Sequence, residues 1–359
     1  MALLRASPDD LGVLLTNAAT WYSAARGVNI LPEVLEKDFW VTEALRHLAA
    51  PQQYSAPTVT GYPVTARAVF KGGTSLSKAF GIIERFSEDI DVFLVIDPVA
   101  GAVPSSVRAG QPAPTFTLGA ARVDTIMKTT AARLAATLGL PHESYGTSRA
   151  GTKRSYMFTY PPAVDHTDTA VGGLGEAVLL ELVRMGTPTP NAAHTLTSLL
   201  STYVAAEGVL ALAEFDELAP FRMDVLAPER TLVDKLAILH DVASRTLAGG
   251  GLAALSRQAR HYYDVHQLLT TPAVTQSLEA TPGLVATYAA AAQAESIAVR
   301  RAGIQRPTNG FAASPAFCDP GFLESARGEY EREMSRLAMG AYPPLDSVLD
   351  AVRASAHLL

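Results

Sequence analysis

Two carboxylates, Asp89 and Asp91, stand two residues apart in an otherwise apolar run near the end of the segment VFKGGTSLSKAFGIIERFSEDIDVFL. Side chains alternate along a strand, so the two acids share one face, while Ile90 and Val92 face the core. Carboxylates held side by side repel each other unless a cation neutralises them. Mg²⁺ prefers carboxylates that leave room for water and substrate phosphates. The pair therefore predicts a metal site for Mg²⁺ or Mn²⁺.

A Gly-Gly turn stands between this predicted strand and an earlier one. Gly72 and Gly73 let the backbone approach a ligand closely, and a helix opening at Thr74 and Ser75 offers its N–H groups to phosphate. Phosphate on the turn and metal on the acids predict a nucleotidyltransferase site that takes an NTP. The alternative is a tight turn beside solvated acids. The sequence contains neither a P-loop nor a dinucleotide-binding fingerprint.

The same segment closely resembles the AbiEii/AbiGii toxin family of nucleotidyltransferases, which includes the MenT toxins. Three further stretches resemble the family's motifs in the same order: EKDFWV at Glu36–Val41, PERTLVDKL at Pro228–Leu236 and RHYYDV at Arg260–Val265. The resemblance spans about Leu35 to Leu269. It implies a polymerase-β-like fold and a toxin of a two-gene toxin–antitoxin or phage-defence system. The better-understood members add nucleotides to the 3′ end of tRNA.

A third carboxylate, Glu181, interrupts the apolar run VLLELV. A carboxylate in a buried strand is costly unless it is paired or bound to metal. The resemblance implies a third acid on a strand beside the pair, and Glu181 is the candidate metal ligand. The alternative is a salt bridge, for example to Arg154 or Arg184.

The resemblance also implies that Lys235 and Asp264 matter for activity. A flexible point cation such as Lys235 suits the neutralisation of phosphate charge. Asp264 has three candidate roles, which are to position Lys235, to contact the nucleotide or to act as a base; it could also simply pair with Arg260, one helical turn away. The predicted catalytic residues are Asp89, Asp91, Lys235 and Asp264. The predicted nucleotide-binding residues are Lys71, Gly72, Gly73, Thr74, Ser75, Ser87 and Lys235. Ser87 could equally cap the N-terminal end of the strand that carries the two acids.

Composition limits the class of protein. The 359 residues carry a net charge of −6, with 48% hydrophobic and 18% charged residues, as in an ordinary globular protein. This charge argues against a surface coated with cations for nucleic acid but allows a local basic groove. A single cysteine, Cys318, excludes an intrachain disulfide and suits the cytoplasm. No apolar run approaches the roughly 20 residues of a membrane span, so no membrane association is expected.

The elements that must position these residues follow from the sequence pattern. Helices are predicted up to Arg26 and after Pro32, and strands over 154–160 and 177–184, joined through a turn at Gly172 and Gly173. A surface loop is predicted over 97–114, and helices from Leu226 onward. With the resemblance, this predicts an α+β fold: a polymerase-β-like sheet domain, helical N-terminal elements and a largely helical C-terminal domain. The predicted divisions are 1–60 (helices packing on the core), 61–225 (the nucleotidyltransferase domain) and 226–359 (helices carrying the Lys and Asp motifs).

Three functions compete. The leading prediction is transfer of nucleotides to RNA, with the 3′ end of tRNA as acceptor, which would block translation. The second is nucleotidyl or phosphoryl transfer to a protein, either an antitoxin or the toxin itself. The third is a nucleotide-binding module without catalysis, although the intact set of acids and lysine argues against it. A cognate antitoxin is a predicted partner, as the resemblance implies.

Overall fold

A computed structural model describes residues 3–27, 30–58, 61–87, 89–108, 111–147, 152–166, 175–184, 186–209, 214–300 and 305–359, with the backbone alone at 26 and 295–300. The predicted turn at Gly172 and Gly173 lies outside these ranges. The chain divides into two compact units. The second unit contains Ser75–Ser87 and Leu226–Leu359, and the first contains most of the chain up to Val225.

The first unit is a sheet with helices. Its strands are β1 (Gln52–Tyr54), β2 (Val64–Lys71), β3 (Asp89–Pro98), β4 (His142–Thr147), β5 (Lys153–Thr159), β6 (Ala177–Val183), β7 (Asn191–Leu196) and β8 (Phe221–Leu226). Its helices are α1 (Pro8–Arg26), α2 (Pro32–Ala49), α4 (Ala120–Leu138) and α5 (Leu199–Glu207), and the short helix α3 (Gly72–Lys78) follows β2.

In the described residues the strands form one eight-stranded mixed sheet in the order β4-β5-β6-β3-β2-β8-β7, with β1 added to β2. The central pair β2–β3 is antiparallel, and each of these strands has a parallel neighbour, β8 and β6 respectively. One face is apolar, because Ile90, Val92 and Leu180 are all buried. Helix α2 packs against β2, β3 and β6. The acids that alternate with these apolar residues therefore lie on the opposite face.

The EKD stretch of α2 has structural partners. Glu36, which is fully buried, accepts a hydrogen bond from Ala163 N at 2.6 Å and lies 2.8 Å from His166 Nε2. Burial raises the pKa of Glu36, and the hydrogen bond with His166 opposes that rise. Asp38 accepts from Leu199 N, the first residue of α5, at 2.7 Å. These contacts tie α2 to the loop after β5 and to α5.

The boundary between strand β3 and the loop that follows it differs from the prediction. Strand β3 continues to Pro98, so the predicted loop over 97–114 begins two residues later than expected. The reason is that β2 pairs along its full length, with Thr65 opposite Asp97 and Val64 opposite Pro98. Strands β1, β4, β7 and β8 were not predicted. All residues of β4 but Gly146 are exposed, and its register with β5 shifts between Ser144 and Gly146.

The second unit is helical. Its helices are α6 (Pro228–Leu247), α7 (Ala253–Gln258), α8 (Arg260–Thr270), α9 (Pro272–Ala280), α10 (Leu284–Arg300), α11 (Pro315–Cys318), α12 (Pro320–Leu337) and α13 (Leu345–Ala354). Helices α6 and α8 pack together at its core, where Leu232, Leu236 and Val265 are fully buried. The Asp319 side chain accepts from Phe322 N at 2.8 Å and so caps α12.

The predicted α+β class is confirmed, with helical N-terminal elements, a sheet that carries the acid pair and a helical C-terminal part. Within the described ranges, none of the helices has the length and apolar character that crossing a bilayer requires.

Candidate active site

The turn between β2 and α3 is built around one glycine. Gly72 has φ +80°, a conformation that L side chains rarely adopt, and a Cβ placed there would clash with Asp91 Oδ2. Glycine is therefore required here by the close approach of the Asp91 carboxylate. Helix α3 starts at Gly72 itself, two residues before the predicted start at Thr74.

The predicted hydroxyl residues of this turn face inward. Thr74 Oγ1 donates to the carbonyl oxygen of Asp89 at 2.6 Å, which fixes the start of the acid strand. Ser75 is fully buried, and Ser87 is half-buried. Thr74 thus holds the acid strand in place with its side chain.

The acid pair lies as the alternation predicts. Asp89 and Asp91 are half-buried, whereas Ile90 and Val92 between and after them have no exposed surface. The strand register places one row of paired residues across β2, β3, β6 and β5: Lys71, Asp91, Glu181 and Ser155. Glu181 therefore lies on a strand directly beside the acid pair, as expected of the third carboxylate.

Lysines hold two of these acids. Lys71 Nζ lies 3.6 Å from Asp91 Oδ1, and Lys153 Nζ lies 2.5 Å from Glu181 Oε2. Glu181 thus forms the salt bridge that was considered as its alternative role, but its partner is Lys153, whereas Arg154 and Arg184 were the examples expected. Because Ser155 is opposite Glu181, Lys153 shares its face, whereas Arg154 points to the other face and pairs with Asp124.

The electrostatics of Glu181 reflect its neighbours. Burial and then the adjacent charge of Asp91 raise the pKa of the Glu181 carboxyl, against the opposing effect of Lys153. Two carboxylates in contact inside a sheet favour a cation between them. In the part of the chain that the structure describes, no three acidic, histidine or cysteine side chains converge closely enough to hold a metal ion. Asp89, Asp91 and Glu181 are thus neighbours on one face, not an assembled set of ligands.

The second unit brings the other two predicted residues together. Lys235 on α6 and Asp264 on α8 are both buried, and Lys235 Nζ lies 3.1 Å from Asp264 Oδ2. The predicted alternative, a pair between Arg260 and Asp264, is wrong. The Asp264 carboxylate instead accepts hydrogen bonds from Arg85, with Nε at 2.7 Å from Oδ1 and Nη2 at 2.8 Å from Oδ2. Of the three roles considered for Asp264, the positioning of Lys235 has this direct contact.

Two members of this group were missed as site residues. Arg85 is 179 residues from Asp264 in the chain, and no sequence pattern links them. His261 precedes Asp264 by three residues on a predicted helix, a spacing that could have indicated contact. Burial and then the charge of Lys235 lower the pKa of His261 to about 3. Burial alone would raise the pKa of Asp264, but the Arg85 and Lys235 charges outweigh it and hold that pKa well below its usual range.

A mixed sheet whose acid strand follows a glycine turn, with a buried lysine–aspartate pair in a helical unit, suits a nucleotidyltransferase. The family described as nucleotidyl transferase AbiEii toxin, type IV toxin–antitoxin system, matches residues 62–351. The chain belongs to this family of nucleotidyltransferase toxins, as the motifs predicted. No curated protein matches it in sequence. Among solved structures, the chain is similar to MenT4, a nucleotidyltransferase toxin from Mycobacterium tuberculosis H37Rv, at 15% identity and a TM-score of 0.41 over 97% of each chain.

Proposed function

We propose that the protein is a toxin that transfers nucleotides from an NTP to RNA, with the 3′ end of tRNA as acceptor, and thereby blocks translation. The observation that carries the proposal is the row formed by Lys71, Asp91 and Glu181 beside the Gly72 turn. This row places two neighbouring carboxylates and the ammonium group of Lys71 beside a stretch of backbone that can approach a phosphate. Family membership supplies the reaction class.

The acids suit a divalent cation. Asp91 and Glu181 are direct neighbours in the sheet, and the charge of Asp91 raises the pKa of Glu181, so a cation here would relieve their repulsion. Asp89, Asp91 and Glu181, which lie side by side in the structure, would hold Mg²⁺ or Mn²⁺ once their side chains rotate toward one another. The cation would stabilise the attacking and leaving oxygens of nucleotidyl transfer. Lys71 and Lys153 supply positive charge to Asp91 and Glu181 in the present structure.

The other predicted residues act on the triphosphate. Lys71 and the backbone of the turn at Gly72, Gly73, Thr74 and Ser75, together with Ser87, are proposed to bind it. Thr74 keeps Asp89 in place through its hydrogen bond to the Asp89 carbonyl. Lys235, held by Asp264 and His261, is proposed to neutralise phosphate charge. The reaction leaves the nucleoside monophosphate on the acceptor hydroxyl and releases pyrophosphate.

The cellular setting follows from the substrates. NTP and tRNA are both cytoplasmic, so we place the activity in the cytoplasm. Membership of a type IV toxin–antitoxin family supports a cognate antitoxin as partner, and defence against phage is one proposed use of such a pair.

The test is a labelling experiment. Purified protein is incubated with Mg²⁺ or Mn²⁺, total tRNA and each α-labelled NTP in turn, beside the variants Asp89→Asn and Asp91→Asn. We expect label on RNA, and a loss of roughly a thousandfold or more in each variant, because metal stabilisation of the transferring phosphate is worth several kcal/mol.

A matched control is Asp350→Asn, which removes an exposed carboxylate whose partner Arg353 is also exposed. This variant should label RNA as the wild type does. Label on protein alone would replace RNA by a protein acceptor. Full activity in a folded Asp89→Asn or Asp91→Asn variant would overturn the assignment of the acids.

A further inference from the structure

Among the residues that the structure describes, Arg85 is the largest of the fully buried side chains, at 1% exposed. A buried guanidinium is stable only when its donors are satisfied. Its Nε and Nη2 donate to the two oxygens of Asp264 at 2.7 and 2.8 Å, and its Nη1 donates to the carbonyl oxygen of Phe86 at 3.0 Å. This two-pronged contact fixes the plane of the Asp264 carboxylate as well as its distance.

The backbone around Arg85 is held as firmly as its side chain. Arg85 forms a bridge with Ala338, and the flanking hydrogen bonds are Phe86 N to Leu337 O at 2.7 Å and Met339 N to Glu84 O at 3.0 Å. Because both the backbone and the guanidinium of Arg85 are fixed, the Asp264 carboxylate that it binds is held in one orientation.

That orientation decides where the ammonium of Lys235 lies. Lys235 Nζ is 3.1 Å from Asp264 Oδ2 and 3.0 Å from His261 Nδ1, and these last two atoms are 3.2 Å apart. An ammonium has three donors and no plane of its own, so its position is set by its acceptors. Rotation of the Asp264 carboxylate would move Oδ2, and Lys235 would follow.

We propose that Arg85 is a positioning residue for the nucleotidyl transfer reaction: by fixing the Asp264 carboxylate it places the Lys235 ammonium where it meets nucleotide phosphate. The inference rests on the proposed function, in which Lys235 acts on the triphosphate. A purely structural ion pair would stabilise the helical unit without affecting how strongly nucleotide binds.

Arg85→Lys separates the two roles, because it keeps the charge and removes the bidentate grip. We expect nucleotide affinity to fall about ten- to a hundredfold, the factor that corresponds to one hydrogen bond to a charged group. Arg85→Gln keeps one neutral amide donor and serves as a second variant if Arg85→Lys does not fold.

The experiment measures binding of ATP, CTP, GTP and UTP separately, with Mg²⁺, to wild type, Arg85→Lys, Lys235→Met and the double variant. If Arg85 acts through Lys235, the Arg85 substitution should change affinity by less than about twofold once Lys235 is absent. Arg230→Lys is the matched control: Arg230 is equally buried in the same unit, but it donates to the Tyr288 carbonyl and pairs with Asp234. It should leave nucleotide affinity unchanged.

The outcomes separate the two proposals. If no NTP binds the wild type, or Lys235→Met binds as the wild type does, the proposed function of the site fails and the inference goes with it. If Lys235→Met loses affinity but a folded Arg85→Lys does not, only the inference is overturned. Equal losses on substituting Arg85 with and without Lys235 would show a general structural effect and would also overturn it.

Discussion

His261 shares its surroundings with two cations and a carboxylate and is almost wholly buried. Its pKa falls to about 3, mainly through burial, so the folded protein keeps this imidazole neutral while the unfolded chain protonates it below about pH 6.5. Between these pH values the unfolded state binds one more proton than the folded state. The free energy of unfolding should therefore decrease as the pH falls through this range.

The variant His261→Asn tests this expectation. Urea unfolding of the wild type at pH 7, 6, 5 and 4 should show stability falling by up to about 1.4 kcal/mol per pH unit from this one group. The variant should lose that part of the slope, although it is less stable at pH 7. His357→Asn, which changes an exposed histidine, is the control and should keep the slope. Parallel pH profiles for wild type and His261→Asn would contradict the expectation.

The sequence alone identifies some residues of this site but not their contacts with one another. Asp89 and Asp91 could be placed on one face because strand alternation is a local rule. The contact between Lys235 and Asp264 was one of three roles considered, and the motifs alone left the choice open. Arg85 could not be assigned, because its partner depends on how a segment before β3 packs against α8, which no local pattern encodes.

At the scale of an element, the turn before α3 depends on Gly72. Gly72→Ala should cost about 1–2 kcal/mol for the left-handed backbone alone, and its Cβ would clash with Asp91 Oδ2. We expect RNA labelling to fall at least about tenfold, the effect of roughly 1.4 kcal/mol in transition-state stabilisation.

Gly81→Ala is the matched control, since Gly81 has φ +62° but an added Cβ would meet nothing within 4 Å. It should show the same backbone strain in thermal unfolding but keep its activity. Equal activity losses in the two variants would mean that contact with Asp91 is not what makes Gly72 necessary.

The elements themselves were predictable where their pattern was strong. Helices α1 and α2 begin at Pro8 and Pro32, which suit a first turn, and β5 and β6 alternate clearly. Strands β4 and β7 were missed because their side chains are largely exposed, so no alternation of apolar and polar residues marks them. The end of β3 was missed because its length is set by its partner β2.

At the scale of the whole molecule, buried charges link distant parts of the first unit. Arg5 Nη1 lies 2.8 Å from Glu217 Oε1 and 3.3 Å from Glu43 Oε2, and Arg46 Nε lies 2.8 Å from Glu43 Oε1. Glu217 also accepts from Leu4 N. Residues 4–5, α2 and the turn before β8 thus meet in one network of four charges.

Glu217→Gln should destabilise the protein by about 1.5–3 kcal/mol, because the neutral amide weakens the charge-assisted hydrogen bonds that the buried carboxylate accepts from Arg5 and Leu4 N, although Arg5 keeps its pair with Glu43. Chemical denaturation would show this as a lower midpoint. Arg353→Gln, in an exposed pair with Asp350, should change stability by less than about 0.5 kcal/mol. A shift in Glu217→Gln as small as in Arg353→Gln would show that the network contributes little.

Large-scale organisation was predictable in outline. The change from strands to helices near Leu226 was visible in composition, and the structure places Leu226–Leu359 in the second unit. The membership of Ser75–Ser87 in that unit was not foreseeable, because this short segment lies in sequence between two strands of the sheet.

The exposed strand β4 has a consequence for self-association. It lies at one end of the strand order, where backbone groups could pair with a second copy. Its charged Glu143, together with the register shift between Ser144 and Gly146, interrupts the flat, regular edge that such pairing needs. Both features disfavour the growth of intermolecular sheets from this edge of the described sheet.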